Sequence, residues 1–84
     1  MTVKIVLFAN LREALGVDSV ELQITGSSSV SALISQLADQ QSQEWFEMLT
    51  AENIRVAVNQ DLINEDVDIV DGDEVAFFPP VTGG

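Results

Sequence analysis

The sequence has no cysteine, no histidine and only three basic residues, Lys4, Arg12 and Arg55. Each shortage removes a class of function. Without cysteine there is no disulfide framework, no zinc–thiolate site and no thiol nucleophile. Without histidine the chain lacks the side chain most often used for proton transfer near neutrality. Fourteen acidic residues against three basic ones leave a net charge of −11. Such a chain is repelled by nucleic-acid phosphates and by an anionic membrane surface. A basic protein surface is the partner this charge favours, and the charge would speed encounter more than deepen affinity. Acidity also serves solubility, and composition leaves both readings open. No apolar run approaches the ~20 residues of a membrane span. The N-terminal stretch reads as a strand, without a signal-peptide pattern. A soluble, cytoplasmic protein is the expectation.

At 84 residues the chain is one small domain. A domain of this size buries about 60–65% of the surface its unfolded chain exposes. An enclosed active site would consume much of that core, so composition favours binding or carrying over catalysis alone.

Along the chain, TVKIVLFA (2–9) is nearly continuous in apolar, β-branched residues. That pattern predicts a central strand covered on both faces, with Val3, Ile5 and Leu7 on one and Lys4, Val6 and Phe8 on the other. NLREALG (10–16) predicts one short helical turn, capped by Asn10 and ended by Gly16. DSVELQI (18–24) alternates as a half-exposed strand with Val20, Leu22 and Ile24 inward. The main helix follows a cap at Ser28 or Ser29, with an apolar stripe of Val30, Leu33, Ile34 and Leu37. Residues 44–50 read as a short helix or an ordered loop carrying Trp45, Phe46, Met48 and Leu49. A strand over 53–59 places Ile54, Val56 and Val58 on one face. Turn residues at 59–61 lead to a very short strand at Leu62 and Ile63. An acidic connector (66–73) ends in an Asp-Gly turn, and the last strand covers 74–78. The order predicts an α+β two-layer domain of the β-grasp type: a mixed sheet of about five strands under one main helix. The first strand lies between the second and the last. The expected division is a folded domain over 1–78 and an extended tail over 79–84.

The acidic connector does not fit a calcium loop. Counted from Asp66, the fifth and sixth positions are Val70 and Asp71, where a ligand and a glycine are required. The adjacent carboxylates Glu65–Asp66 and Asp73–Glu74 lack an apolar pocket to shift them and read as surface. Gly16, Gly26 and Gly72 are isolated, so no phosphate-binding glycine loop is present. No metal ligand set emerges. Phe8 and Phe78 differ from these. Strand parity puts both opposite the helix-packed face, either as a docking patch or as a second small core beneath 44–50.

The sequence ends FFPPVTGG. Pro79 and Pro80 favour an extended backbone, and Pro80 has no N–H with which to continue a sheet. Val81, Thr82, Gly83 and Gly84 then span at most roughly 13–14 Å. Two glycines lack Cβ atoms and pass where side chains cannot. What such an arm delivers is an α-carboxylate, ionised at neutral pH from a reference pKa of about 3.3–3.7. A carboxylate on a thin arm can attack the α-phosphate of a nucleotide and form an acyl-adenylate.

VLFANLRE (6–13), AVNQ (57–60) and DGDEVAFFPPVTGG (71–84) resemble the ubiquitin-like sulfur carriers. Within them they are most similar to the small subunits of molybdopterin synthase. The resemblance spans most of the chain and is weakest over 38–52. It implies that Gly84 is adenylated by an ATP-dependent activating enzyme and converted to a thiocarboxylate, with Gly83 as the slim neck behind it. It implies that the tail enters a large catalytic subunit within a heterotetramer and gives sulfur to a pyranopterin precursor of the molybdenum cofactor. Phe8, Arg12, Leu62 and Phe78, with Pro79, Pro80, Val81 and Thr82, match positions expected to meet those partners. No stably bound cofactor is implied; ATP is consumed by the activating enzyme, and the catalytic residues of the synthase are implied to lie mainly on the large subunit. A thiamine-pathway carrier or a ubiquitin-like protein modifier shares this architecture. A non-catalytic interaction domain with an inert tail is the reading from another class.

Overall fold

The computed structural model describes residues 2–25 and 28–79. The tail residues Pro80, Val81, Thr82, Gly83 and Gly84 lie outside the described residues, so the expectations placed on them are not addressed by the fold.

Strands β1 (Thr2–Leu7), β2 (Ser19–Gln23), β4 (Arg55–Val58), β5 (Asp61–Ile63) and β7 (Glu74–Phe78) form one sheet in the order β2-β1-β7-β4-β5. β1 pairs antiparallel with β2 and parallel with β7. β4 pairs antiparallel with both β7 and β5. A two-stranded piece joins β3 (Ser28–Ser29) to β6 (Asp68–Ile69). Helices α1 (Ala9–Leu15), α2 (Val30–Gln40) and α3 (Gln43–Leu49) complete the chain. This is the mixed, ubiquitin-like β-grasp sheet the element order predicts. Among the described residues no helix is long and apolar enough to cross a membrane.

The core follows from strand alternation and helix periodicity. Val3, Ile5 and Leu7 of β1, Leu22 of β2 and Val75 and Phe77 of β7 all point to one face and are buried. Val30, Leu33, Ile34 and Leu37 of α2 cover them, as the 3.6-residue stripe requires. Each fully buried aliphatic or aromatic side chain contributes roughly 1.5–3 kcal/mol, so this one layer holds most of the stabilisation a small domain has. Ser29 caps α2, its Oγ accepting from the Ala32 N–H at 3.2 Å.

Three sequence-based expectations are corrected and one left open is decided. First, β1 is covered on one face only: Lys4 and Phe8 are exposed on the other, and β7 is the middle strand. Its apolar run reflects Val6 at the foot of an open face, not a second covering layer. Second, Asn10 lies inside α1, which is seven residues long. Phe8 holds the cap position, extended at φ −119° and ψ 156°. Ala9 then takes a left-handed φ of 54°, so the turn into the helix comes from backbone geometry. Third, the acidic connector contains β6, and Ile69 is fully buried. The charged residues around Val67 and Ile69 hid a two-residue alternation. Of the two readings left open for 44–50, the helix is the one formed, over 43–49. α3 packs on α2 and buries Trp45 and Leu49 there, while Phe46 is exposed.

The hairpin β4–β5 turns through Asn59 and Gln60, both at positive φ (52° and 72°), with Val58 opposite Asp61. Two left-handed residues make the tight turn whose twist matches the strands. The Asn59 side chain ties this turn to β7: its Nδ2 donates to Asp73 Oδ1 at 2.9 Å, and its Oδ1 accepts from the Glu74 N–H at 3.0 Å.

Asp66 supplies a second cap to α2 from across the chain. Ser31 donates to it twice, through Oγ to Oδ2 at 2.6 Å and through its N–H to Oδ1 at 3.2 Å. The hydroxyl bond from Ser31 is the largest cause holding this carboxyl below its ordinary value of 3.8. A folded-state pKa below the unfolded one gives stability that is complete above the unfolded pKa and is lost as pH falls through the folded one. The stability advantage of the native chain over Asp66→Asn should therefore be constant from neutral pH down to about pH 5, then shrink below about pH 4. Urea unfolding midpoints of the two chains across that range measure it.

Candidate docking face and tail exit

The face of the sheet opposite the helices carries the residues singled out from sequence. Phe8 continues the alternation of β1 one position past the strand and lands beside Phe78. The parallel register sets Leu7 opposite Phe77, and the Phe8 N–H donates to the Phe77 carbonyl at 3.2 Å. The two rings meet edge to face, with centroids 6.5 Å apart and planes at 83°. Such a pair contributes about 0.5–1.5 kcal/mol beyond the area it covers. Phe8 nevertheless remains 46% exposed, and Phe78 is half-buried.

Leu62 belongs to the same face at its far edge. Val6, Ala76, Ala57 and Leu62 stand opposite one another across β1, β7, β4 and β5. With strands about 4.8 Å apart, that row is about 14 Å wide. The two alanines in its middle make the floor low, and Leu62, 56% exposed, stands at its edge. Arg12, one helical turn past Phe8, lines a cavity of about 270 Å³ together with Lys4, Phe8, Asp18 and Ser19. α1 is closed behind it by Gly16, whose φ of +81° admits a hydrogen bond from its N–H back to the Arg12 carbonyl at 2.9 Å.

Phe8, Phe78, Leu62 and Arg12 are thus brought to one open face, with the aromatic pair at the end where the chain leaves β7 through half-buried Pro79. Residues Pro80 to Gly84 follow it in the sequence and lie outside the described residues. The alternative in which the phenylalanines form a small core under 44–50 is excluded by α3, which sits on α2 on the other side of the sheet. Strand parity sets Val6 with Phe8 and Ala76 with Phe78, but sequence reasoning missed Ala57 and Arg55 as members of the face. The two-residue turn at Asn59–Gln60 could have supplied the Ala57–Leu62 pairing. Among the described residues no cluster of three or more acidic side chains is arranged to hold a metal ion.

One helix-covered sheet face, one open face and a chain exit at the end of the middle strand define a β-grasp domain of the ubiquitin-like class. Comparison with known proteins narrows this. Residues 5–84 match the ThiS family. The chain is 44% identical over 82 residues to the molybdopterin synthase sulfur carrier subunit of Escherichia coli (strain K12), covering 98% of this chain and 99% of that one. Among solved structures it is similar to SAMP1, small archaeal modifier protein 1, of Haloferax volcanii, with TM-score 0.82, 26% identity and full coverage of both chains. It is also similar to the putative molybdopterin converting factor subunit 1 of Pyrococcus furiosus, with TM-score 0.80, 30% identity and coverage of 96% and 99%. The chain belongs to the ThiS family.

The burial pattern separates fold from face. Phe77→Ala should cost about 3–5 kcal/mol of unfolding free energy, because it empties the core. Phe78→Ala, one residue on, should cost no more than about 1–1.5 kcal/mol, because it removes mainly an aromatic contact at an open face. Denaturant unfolding of both variants measures the difference.

Proposed function

We propose that this chain is a sulfur-carrier subunit of molybdopterin synthase, and that its reactive group is the carboxylate of Gly84. The full-length likeness to the Escherichia coli sulfur carrier subunit carries the reading. The architecture supports it, since the one large open face adjoins the end from which the tail departs. The five residues after Pro79 reach at most about 17–18 Å, enough for the body to dock on one surface while its end enters a pocket beside it. By residue type, prolines at 79 and 80 favour extended backbone, and glycine at 83 has no Cβ to obstruct a narrow passage.

The chemistry uses the backbone end. An oxygen of the Gly84 carboxylate attacks the α-phosphorus of ATP in the adenylating enzyme, pyrophosphate leaves, and an acyl-adenylate forms. A sulfide-equivalent donor attacks the carbonyl carbon and AMP leaves, so the end becomes a thiocarboxylate. In the large subunit that sulfur attacks a carbon of the pyranopterin precursor, and a carbon–oxygen bond there breaks, its electron pair leaving with the oxygen, which takes up a proton. Water then cleaves the resulting thioester, leaving sulfur on the precursor and a carboxylate on Gly84. This chain provides no side chain for acid–base work in these steps, in keeping with its lack of histidine and cysteine. It acts as a carried substrate of two partners.

A second reading, conjugation to other proteins, is favoured by the likeness to small archaeal modifier protein 1. Both readings share the adenylated glycine and differ in the acceptor.

Incubation with ATP, sulfide and the adenylating enzyme should exchange one oxygen of Gly84 for sulfur, seen as an intact-mass increase located to the C-terminal fragment. The chain lacking Gly84 should show no such increase and should keep its unfolding midpoint. An unmodified mass in the full chain overturns the sulfur-carrier reading.

A further inference from the structure

The placement of the positive charge runs against the composition. Two of the three cations, Arg12 and Arg55, flank the Phe8–Phe78 pair. Arg55 stands directly opposite Phe78 across the β4–β7 ladder. Arg12 lies on the other side of the pair, lining the cavity that Phe8 borders. The third, Lys4, stands on the same face opposite Glu21 and Glu74, which offset it in place. Carboxylates are concentrated elsewhere. Asp39, Glu44 and Glu47 belong to α2 and α3, while Glu65, Asp66, Asp68 and Asp71 follow β5 toward β7. Among the described residues, Asp18 is the one carboxylate that lines the cavity shared by Phe8 and Arg12; Glu13 and Glu52 neighbour the two arginines along the chain.

A surface that is apolar at its centre and cationic on both sides is matched by one that is apolar at its centre and anionic at two positions. Net charge points to a basic partner; the local charge at the tail exit points to an acidic rim. Over the few ångströms of a docked interface the local charge decides. Net charge acts across a Debye length of about 8 Å and is screened by salt. A second copy docked face to face would oppose arginine to arginine, so charge argues against self-association through this face.

We propose that Arg12 and Arg55 form a cationic bracket that reads two carboxylates on the partner surface covering Phe8 and Phe78, and that this bracket sets the register in which the tail enters. The inference rests on the sulfur-carrier reading and adds Arg55 and the partner's carboxylates to it. Guanidinium suits the task because its fixed donor fork pairs bidentately with a carboxylate.

The test is titration of the full chain against the large subunit of molybdopterin synthase at low and high salt. The double variant Arg12→Glu/Arg55→Glu should bind about 100-fold more weakly than the native chain, as reversal of close charge pairs does. Its unfolding midpoint should stay near native, since both side chains lie outside the core. Arg12→Gln/Arg55→Gln should flatten the salt dependence of binding. Glu47→Lys, which changes net charge by as much as one reversal but in the opposite sense and sits on α3, should bind within about threefold of native. Equal binding by the double-reversal variant overturns the bracket. If Phe78→Ala still weakens docking in that case, the sulfur-carrier reading stands without it. Absence of binding by the native chain overturns both. Self-association of the native chain that the double reversal removes assigns the face to a second copy, and also overturns the proposal.

Discussion

The parallel pairing of the first and last strands is the constraint on which the rest of the molecule depends. β1 and β7 pair across 70 residues of chain, Ile5 against Val75 and Leu7 against Phe77. Their contact closes the chain on itself, and the loop-closure cost must be met by what they bury together. Val3, Ile5, Leu7, Val75 and Phe77 meet it, all fully or almost fully buried on one face. Hydrogen bonds secure the turn that feeds the pair. The Thr2 N–H donates to Asp71 Oδ1 at 2.7 Å, the Gly72 N–H to the Thr2 carbonyl at 2.9 Å, and the Lys4 N–H to the Asp73 carbonyl at 3.0 Å. Gly72 sits at φ +87°, a backbone that side-chain-bearing residues seldom adopt.

The open face is the reverse side of this closure. Because side chains alternate, the register that buries Leu7 with Phe77 also sets Phe8 beside Phe78. No separate device is needed to build a docking patch next to the tail: the aromatic pair is one residue out of phase with the core. The left-handed backbone at Ala9 completes it, turning the chain into α1 immediately after Phe8 and bringing Arg12 to the patch within one helical turn. A non-glycine residue held at positive φ costs about 1–2 kcal/mol, which the burial of Leu11 at 1% exposure offsets.

Charge divides along the same line. Ten of the fourteen acidic residues lie in α2, α3 and the stretch from β5 to β7, and two of the three basic residues are arginines beside the aromatic pair. Net charge and local charge therefore ask for different partners, and only the local pattern has the geometry to choose one. The Phe78 and Arg55 pairing across the ladder shows why spacing alone could not reveal it, since the two residues are 23 positions apart in the chain.

Periodic stretches were legible in the sequence because local pattern and burial agree there. β2, the α2 stripe from Val30 to Leu37, the hairpin at Asn59 and the alternation of β7 all read correctly from residues near one another. The fate of the outward face was not legible, because an apolar run such as that of β1 looks the same whether a second layer covers it or not. Nor was β6, whose two residues gain strand geometry only by pairing with Ser28 and Ser29 about forty positions earlier. The sequence by itself determined what chemistry the chain lacks and, Ile69 apart, which side chains of its periodic stretches enter the core, since both depend on residue type and local period. Only the tertiary structure decided that Phe8, Arg12, Arg55, Leu62 and Phe78 share one open surface, because that depends on strand order and register, which are settled by contacts between distant parts of the chain.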